Sequence, residues 1–297
     1  MPSPLASDQG TIPFSFQGAT YQTWYKVYGS LTDCTRTPLV VLHGGPGITH
    51  DYLTPLSDLA SSASIPVIVY DQLGNGRSTH VKDKDDSFWT IDLFVDELVN
   101  LLTYLRIQDN FDILGHSWGG VLASELIVRR RPEGLRHLIL SNSLASMSLW
   151  DDSLGRLAAK FPQDVQDGLA TGFDNPPLGR PALAKFHAVH GCTVKPVPQD
   201  VERTISQGWD DLTVTRAMEK VTRKWSIIDQ LPSFPRIPTL VINGSADMSQ
   251  DDVIAPFVSD IQGAQWVQFQ KSSHMPFWEE RAEYMDVVEG FLRGRAE

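Results

Sequence analysis

Cysteine is scarce in this chain of 297 residues, with only Cys34 and Cys192. They lie far apart, without C-x-x-C spacing or a histidine run, so neither a disulfide framework nor a zinc site is expected. Two free thiols fit a reducing compartment, and a cytoplasmic location is the expectation. Positive charge is also short. Lys and Arg total 25 against 36 Asp and Glu, a formal net charge of −11. That balance excludes the basic footprint of a nucleic-acid binder and argues against adhesion to anionic membrane. No apolar run approaches the roughly 18 residues of a membrane span. Met1 to Gly10 have neither the basic nor the apolar region of a secretory leader.

What the chain does have is a series of short, continuous apolar runs. After a hairpin pattern (Ile12 to Phe16, Gln17-Gly18, Tyr21 to Tyr28) come runs at 39–42, 67–70, 111–114 and 138–140. Such runs predict strands buried on both faces of a parallel sheet. Ile91, Phe94, Val95, Leu98, Leu102 and Leu105 recur at helical spacing between two of them, and Val121, Leu122 and Leu126 continue a helix after the third. Alternation of this kind predicts a doubly wound α/β domain. The rhythm stops after Ser143 and resumes at Thr239-Leu240-Val241-Ile242, with a last strand at 266–269 and a last helix at 284–292. The reading is therefore a core of 1–143 and 235–297 interrupted by a helical cap at 144–234. A structureless loop of that length is implausible, and open α/β sheets bind ligands at the strand ends such a cap would cover.

Gly115-His116-Ser117-Trp118-Gly119-Gly120 directly follows one predicted strand and precedes a helix. It contains G-x-S-x-G in the strand–turn–helix setting of a nucleophile elbow, which makes Ser117 the candidate nucleophile and the Trp118 N–H a candidate oxyanion donor. His43-Gly44-Gly45-Pro46-Gly47 leaves the first core strand. A glycine loop there supplies a second donor, assigned to Gly45 with Gly44 as the alternative. The order Ser, then acid, then His is met by Asp247 and His274, each in a loop just beyond a predicted strand. Asp251 and Asp252 are read instead as the first turn of a helix, where carboxylates favour the dipole. His43 is read as ordering its loop and His116 as packing. His50 and His80 fall in polar loops, His137 starts a strand, and His187 and His190 lie in the cap. The loop Asp71 to Ser78 lacks a phosphate-binding signature and is read as a rigid support.

Together, HGGPG, DQLGNGRS, GHSWGG, GSAD and SSHMPFWEE resemble the proline iminopeptidase family of α/β hydrolases, with its related amino-acid amidases, over about residues 12–293. The resemblance implies an α/β-hydrolase fold: a mostly parallel eight-stranded sheet, helices on both faces and an inserted helical cap. It also implies a serine hydrolase with Ser117, His274 and Asp247 as nucleophile, base and orienting acid, and Gly45 and Trp118 as oxyanion donors. Members are expected to hold the substrate's cationic α-amine with cap glutamates. Glu202 and Glu219 are candidates, as are Asp210 and Asp211, although each also reads as a solvated helix charge.

The expected reaction is release of an N-terminal residue, proline or similar, from short peptides or amino-acid amides through an acyl-enzyme. It needs no metal or organic cofactor and no nucleic-acid or membrane partner. One alternative is an esterase or tailoring hydrolase for a small apolar metabolite without a free amine, for which Phe161, Phe173, Phe186, Trp209 and Trp225 would suit the cap. A non-catalytic ligand sensor on the same fold is the other.

Overall fold

A computed structural model describes residues 7–32 and 34–294. Residues 1–6, part of the segment read as lacking a leader, lie outside it. Strands β1 (Ser7–Phe16) and β2 (Ala19–Tyr28) form an antiparallel hairpin through Gln17 and Gly18, and β1 begins before the predicted start at Ile12. The other strands are β3 (Leu39–Leu42), β4 (Val67–Tyr70), β5 (Phe111–His116), β6 (Leu135–Ser141), β7 (Thr239–Gly244) and β8 (Gln265–Phe269). The sheet order is β1-β2-β4-β3-β5-β6-β7-β8. β2 pairs antiparallel with its neighbours, and all pairings from β4 through β8 are parallel. This is the expected eight-stranded, mostly parallel sheet.

The continuous apolar runs follow from two cores divided by the sheet. Val40, Leu42, Ile68 and Tyr70 join one core, and Leu39, Val41, Val67 and Val69 join the other. Alternate residues point to opposite faces, and helices cover both. Helices α2 (Ile91–Tyr104), α3 (Trp118–Arg130) and α9 (Asp251–Asp260) pack on the first face. Helices α1 (Asp58–Ser62), α10 (Pro276–Glu279) and α11 (Arg281–Leu292) pack on the second. A 3₁₀ segment at Asp51–Ser57, absent from the sequence reading, precedes α1.

The chain leaves β3 toward β4 over one face and leaves β5 toward β6 over the other. A crevice opens where such connections diverge, here beyond the ends of β3 and β5. Between β6 and β7 come α4 (Met147–Ala158), α5 (Gln163–Thr171), α6 (Pro176–His190), α7 (Gln199–Asp210) and α8 (Thr213–Thr222). The two ends of this insertion meet in an antiparallel bridge, Ser146 opposite Ser226. Met147 N–H donates to Trp225 C=O at 2.9 Å and Ile227 N–H to Ala145 C=O at 3.0 Å. Among the described residues no helix is long and apolar enough to cross a membrane.

Candidate active site

Ser117 stands at the sharp turn between β5 and α3 with φ 54° and ψ −121°, a conformation costly for a residue with a side chain. Close packing makes this turn possible. A Cβ on Gly119 would lie 2.1 Å from the Leu42 carbonyl oxygen, so only glycine lets α3 start this close to the end of β3. A Cβ on Gly44 would meet the Ser117 Cβ at 3.0 Å. The loop after β3 therefore runs directly against the nucleophile candidate.

Asp247 and His274 come from the loops after β7 and β8. His274 Nδ1 donates to Asp247 Oδ1 at 2.7 Å, with the carboxylate fully buried. The second oxygen, Oδ2, accepts from Asn142 Nδ2 at 2.6 Å, and Oδ1 also accepts the Ser249 N–H at 2.9 Å. The His274 ring lies 4.7 Å from that of His116, the residue preceding Ser117. Among the described residues no hydrogen bond joins Ser117 Oγ to the imidazole. Asp251 and Asp252 serve elsewhere: Asp251 accepts from Asn243 at 3.0 Å, and Asp252 pairs with Arg156 at 2.6 Å, both in the first turn of α9.

The two loops beyond β3 and β4 lock together. His43 Nδ1–H donates to Gly44 C=O at 2.9 Å, while its Nε2 accepts the Gln72 N–H at 3.0 Å. Both contacts suit a neutral ring, and burial pushes the His43 pKa down to about 4. Gln72 donates its side-chain N–H to His43 C=O at 3.2 Å and accepts the Trp118 indole N–H at 2.9 Å. Asp71 holds the rest of the loop, accepting from His50 Nδ1 at 2.7 Å and from the Arg77 N–H at 2.9 Å. Burial alone would raise the Asp71 carboxyl, but these bonds to its charged form outweigh it and hold the pKa at about 2.

Among the described residues the Gly45 and Trp118 N–H groups have no hydrogen-bond partner. The Gly44 N–H is taken: it donates to the Tyr52 hydroxyl at 2.7 Å, which corrects the reading of Gly44 as an alternative donor. The bond from Gly44 C=O to His43 also fixes its peptide plane. In a trans peptide the next N–H, that of Gly45, points the opposite way.

Glu202 and Glu219 are exposed on α7 and α8, with no ion pair among the described residues. Asp210 and Asp211 border an open cavity of about 190 Å³ with Gly47, Gly76, His80 and Lys82, which neither Ser117, Asp247 nor His274 lines. From the insertion, Trp150 on α4 brings its ring 6.0 Å from that of His274. Among the described residues no cluster of three or more His, Cys, Asp or Glu could hold a metal ion.

Sequence reasoning missed Tyr52 and Asn142, and read Gln72 only as part of the supporting loop Asp71 to Ser78. The one available signal for Asn142 was its place in Ser141-Asn142-Ser143, three polar residues at the end of an apolar strand.

Residues 37–281 match the α/β hydrolase fold family. The chain is 32% identical over 293 residues to the proline iminopeptidase of Lactobacillus delbrueckii subsp. lactis, covering 95% of this chain and 96% of that one. It is similar to the crystal structure of VinJ, with a TM-score of 0.90 and 38% identity over 99% of this chain and 100% of that one. The crystal structure of a proline iminopeptidase from Mycobacterium smegmatis gives a TM-score of 0.84 at 36% identity over 97% and 98%. By fold, sequence and the elbow at Ser117, the chain belongs to the proline iminopeptidase family of α/β hydrolases and is a serine hydrolase.

Proposed function

We propose that the chain releases an N-terminal residue, proline or a similarly small one, from short peptides or amino-acid amides through an acyl-enzyme on Ser117. The observation that carries this reading is the buried 2.7 Å bond between His274 and Asp247 beside the elbow. With Nδ1–H committed to Asp247, His274 Nε2 is left bare to take the Ser117 proton. Ser117 Oγ then attacks the carbonyl carbon, and the oxyanion is received by the Gly45 and Trp118 N–H groups. Collapse expels the amine, which takes its proton from His274. Water attacks the acyl ester, gives its proton to His274, and Ser117 leaves with a proton returned to it. Asp247 stays ionised throughout, holding the tautomer and stabilising the imidazolium.

The substrate assignment draws on the relatives, which are named proline iminopeptidases. Residues 144–234 act as a cap over the site, with 1–143 and 235–297 as its base. The exposed positions of Glu202 and Glu219 lend no support to their holding the α-amine. A second reading, hydrolysis of an apolar ester without a free amine, draws on Trp150, an aromatic ring rather than a carboxylate beside His274.

The test compares prolyl and alanyl amides with simple acyl esters, together with mass-spectrometric mapping of a fluorophosphonate label. Label at Ser117 is expected, with faster turnover of the amides and a fall of about 10⁵-fold or more in kcat for Ser117→Ala. Label elsewhere, or activity surviving Ser117→Ala, overturns the nucleophile assignment. Ester turnover without amide turnover selects the second reading.

A further inference from the structure

Tyr52 and His116 are buried polar residues with no part in the steps above. Three hydrogen bonds run through them in series. The Gly44 N–H donates to Tyr52 Oη at 2.7 Å, Tyr52 Oη meets His116 Nδ1 at 2.7 Å, and His116 Nε2 meets the His274 carbonyl oxygen at 2.8 Å. The direction of every bond is fixed. A carbonyl only accepts, so His116 Nε2 carries the proton. Burial, reinforced by the neighbouring His274, holds His116 neutral, far below its usual pKa. Its Nδ1 is therefore bare and accepts from the Tyr52 O–H. The phenol oxygen in turn takes the Gly44 N–H.

The series begins on the peptide before Gly45, passes the residue before Ser117 and ends on the backbone of His274. We propose that Tyr52 and His116 are positioning residues for the hydrolytic reaction, a relay that holds the Gly44–Gly45 backbone in register with the backbone of His274. The inference rests on the reading of Ser117 and His274 as nucleophile and base. Tyr52 is itself anchored: its N–H donates to Thr204 Oγ1 at 3.2 Å, and its carbonyl accepts the Trp278 indole N–H at 2.7 Å. His116 is held edge-on between the rings of Tyr52, His274 and Phe277. Without the hydroxyl, the buried Gly44 N–H loses its acceptor, and this stretch is left held only through its carbonyls, His43 C=O by Gln72 and Gly44 C=O by His43. The Gly45 N–H is then less firmly aimed at the developing oxyanion. That contact strengthens in the transition state, so the loss falls on kcat rather than on KM.

The experiment uses full-length Tyr52→Phe, His116→Gln and His116→Leu. Four quantities are read: kcat and KM on the best amide or ester substrate, the rate of fluorophosphonate labelling, and the thermal midpoint. For Tyr52→Phe, kcat and labelling rate are expected to fall about tenfold to a hundredfold, with KM within about twofold. His116→Leu should match it. His116→Gln, whose amide can donate to His274 and accept from Tyr52, should stay within about fivefold of wild type in kcat. A Tyr52→Phe enzyme with wild-type kcat and only a lower thermal midpoint overturns the relay, as does a rise in KM alone. Should Tyr52→Phe fail to fold, equal kcat in the two His116 variants overturns it instead. Wild-type enzyme labelled elsewhere than Ser117 fails the underlying reading and takes this inference with it.

Discussion

At the scale of single residues, the site depends on how each buried polar group is satisfied. Asp247 accepts from His274, Asn142 and Ser249, so it stays held whether or not a substrate is present. Asp247→Asn preserves this shape but presents an N–H to the imidazole and selects the wrong tautomer. A fall of about 10⁴-fold in kcat is expected, with an unchanged circular dichroism spectrum. Glu97 behaves differently. It lies behind the Asp71 to Ser78 loop, accepting from Thr23 Oγ1 at 2.5 Å and from the Leu73 N–H at 3.0 Å. Burial nonetheless raises its pKa from 4.5 to about 7. The folded state thus binds this proton more tightly than the unfolded chain. Stability from this group is whole below pH 4.5 and declines as pH rises toward 7, by roughly 3 kcal/mol. The Asp71 contribution has the opposite sign: present above about pH 4, it is lost as pH falls toward 2. The buried neutral His43 and His116 push stability the other way below about pH 6.5, so the readout is a difference: between pH 5 and 8 the urea midpoint of wild type should fall relative to that of Glu97→Gln. An unchanged slope in the variant would count against the assignment.

At the scale of elements, the position of α3 decides the geometry of the site. Its first turn sits against the end of β3 because Gly119 has no side chain to strike the Leu42 carbonyl. Gly119→Ala must push helix and strand apart, and a loss of about 3 kcal/mol or more is expected in calorimetry, or else insoluble protein. The strands were legible in the sequence because burial on both faces demands continuous β-branched and apolar residues, as at Leu39–Leu42 and Val67–Tyr70. Ser117 was legible because its turn tolerates only a narrow set of neighbours. Asp247 and His274 were found by their places just beyond predicted strands, and the structure joins them by a hydrogen bond. Tyr52, Gln72 and Asn142 were not legible. Each acts through contacts with residues distant in sequence, and a tyrosine in a short 3₁₀ segment leaves no periodic trace. The cap glutamates suggested by resemblance show the reverse limit. A carboxylate on a helix reads alike whether it faces a ligand or, as Glu202 and Glu219 do, solvent.

At the scale of the whole molecule, the insertion is unevenly bound to the sheet domain. Val214, Ala217 and Met218 of α8 belong to the same apolar core as α2 and α3. Thr204 of α7 bonds Thr49 and the Tyr52 N–H, and Asp200 accepts from Thr54. By contrast Leu157 and Phe186, from α4 and α6, share only a small cluster with Met248. Hydrogen exchange followed by mass spectrometry should therefore protect α8 nearly as well as the sheet, with α5 opening earlier. Uniform exchange across α4 to α8 would contradict this division. The bridge between Ser146 and Ser226 carries a separate consequence. Because the chain departs and returns at neighbouring points, the span between them can grow, shrink or be exchanged for a relative's without altering the spacing of β6 and β7. Any replacement would still have to supply the anchor that Thr204 gives the Tyr52 N–H.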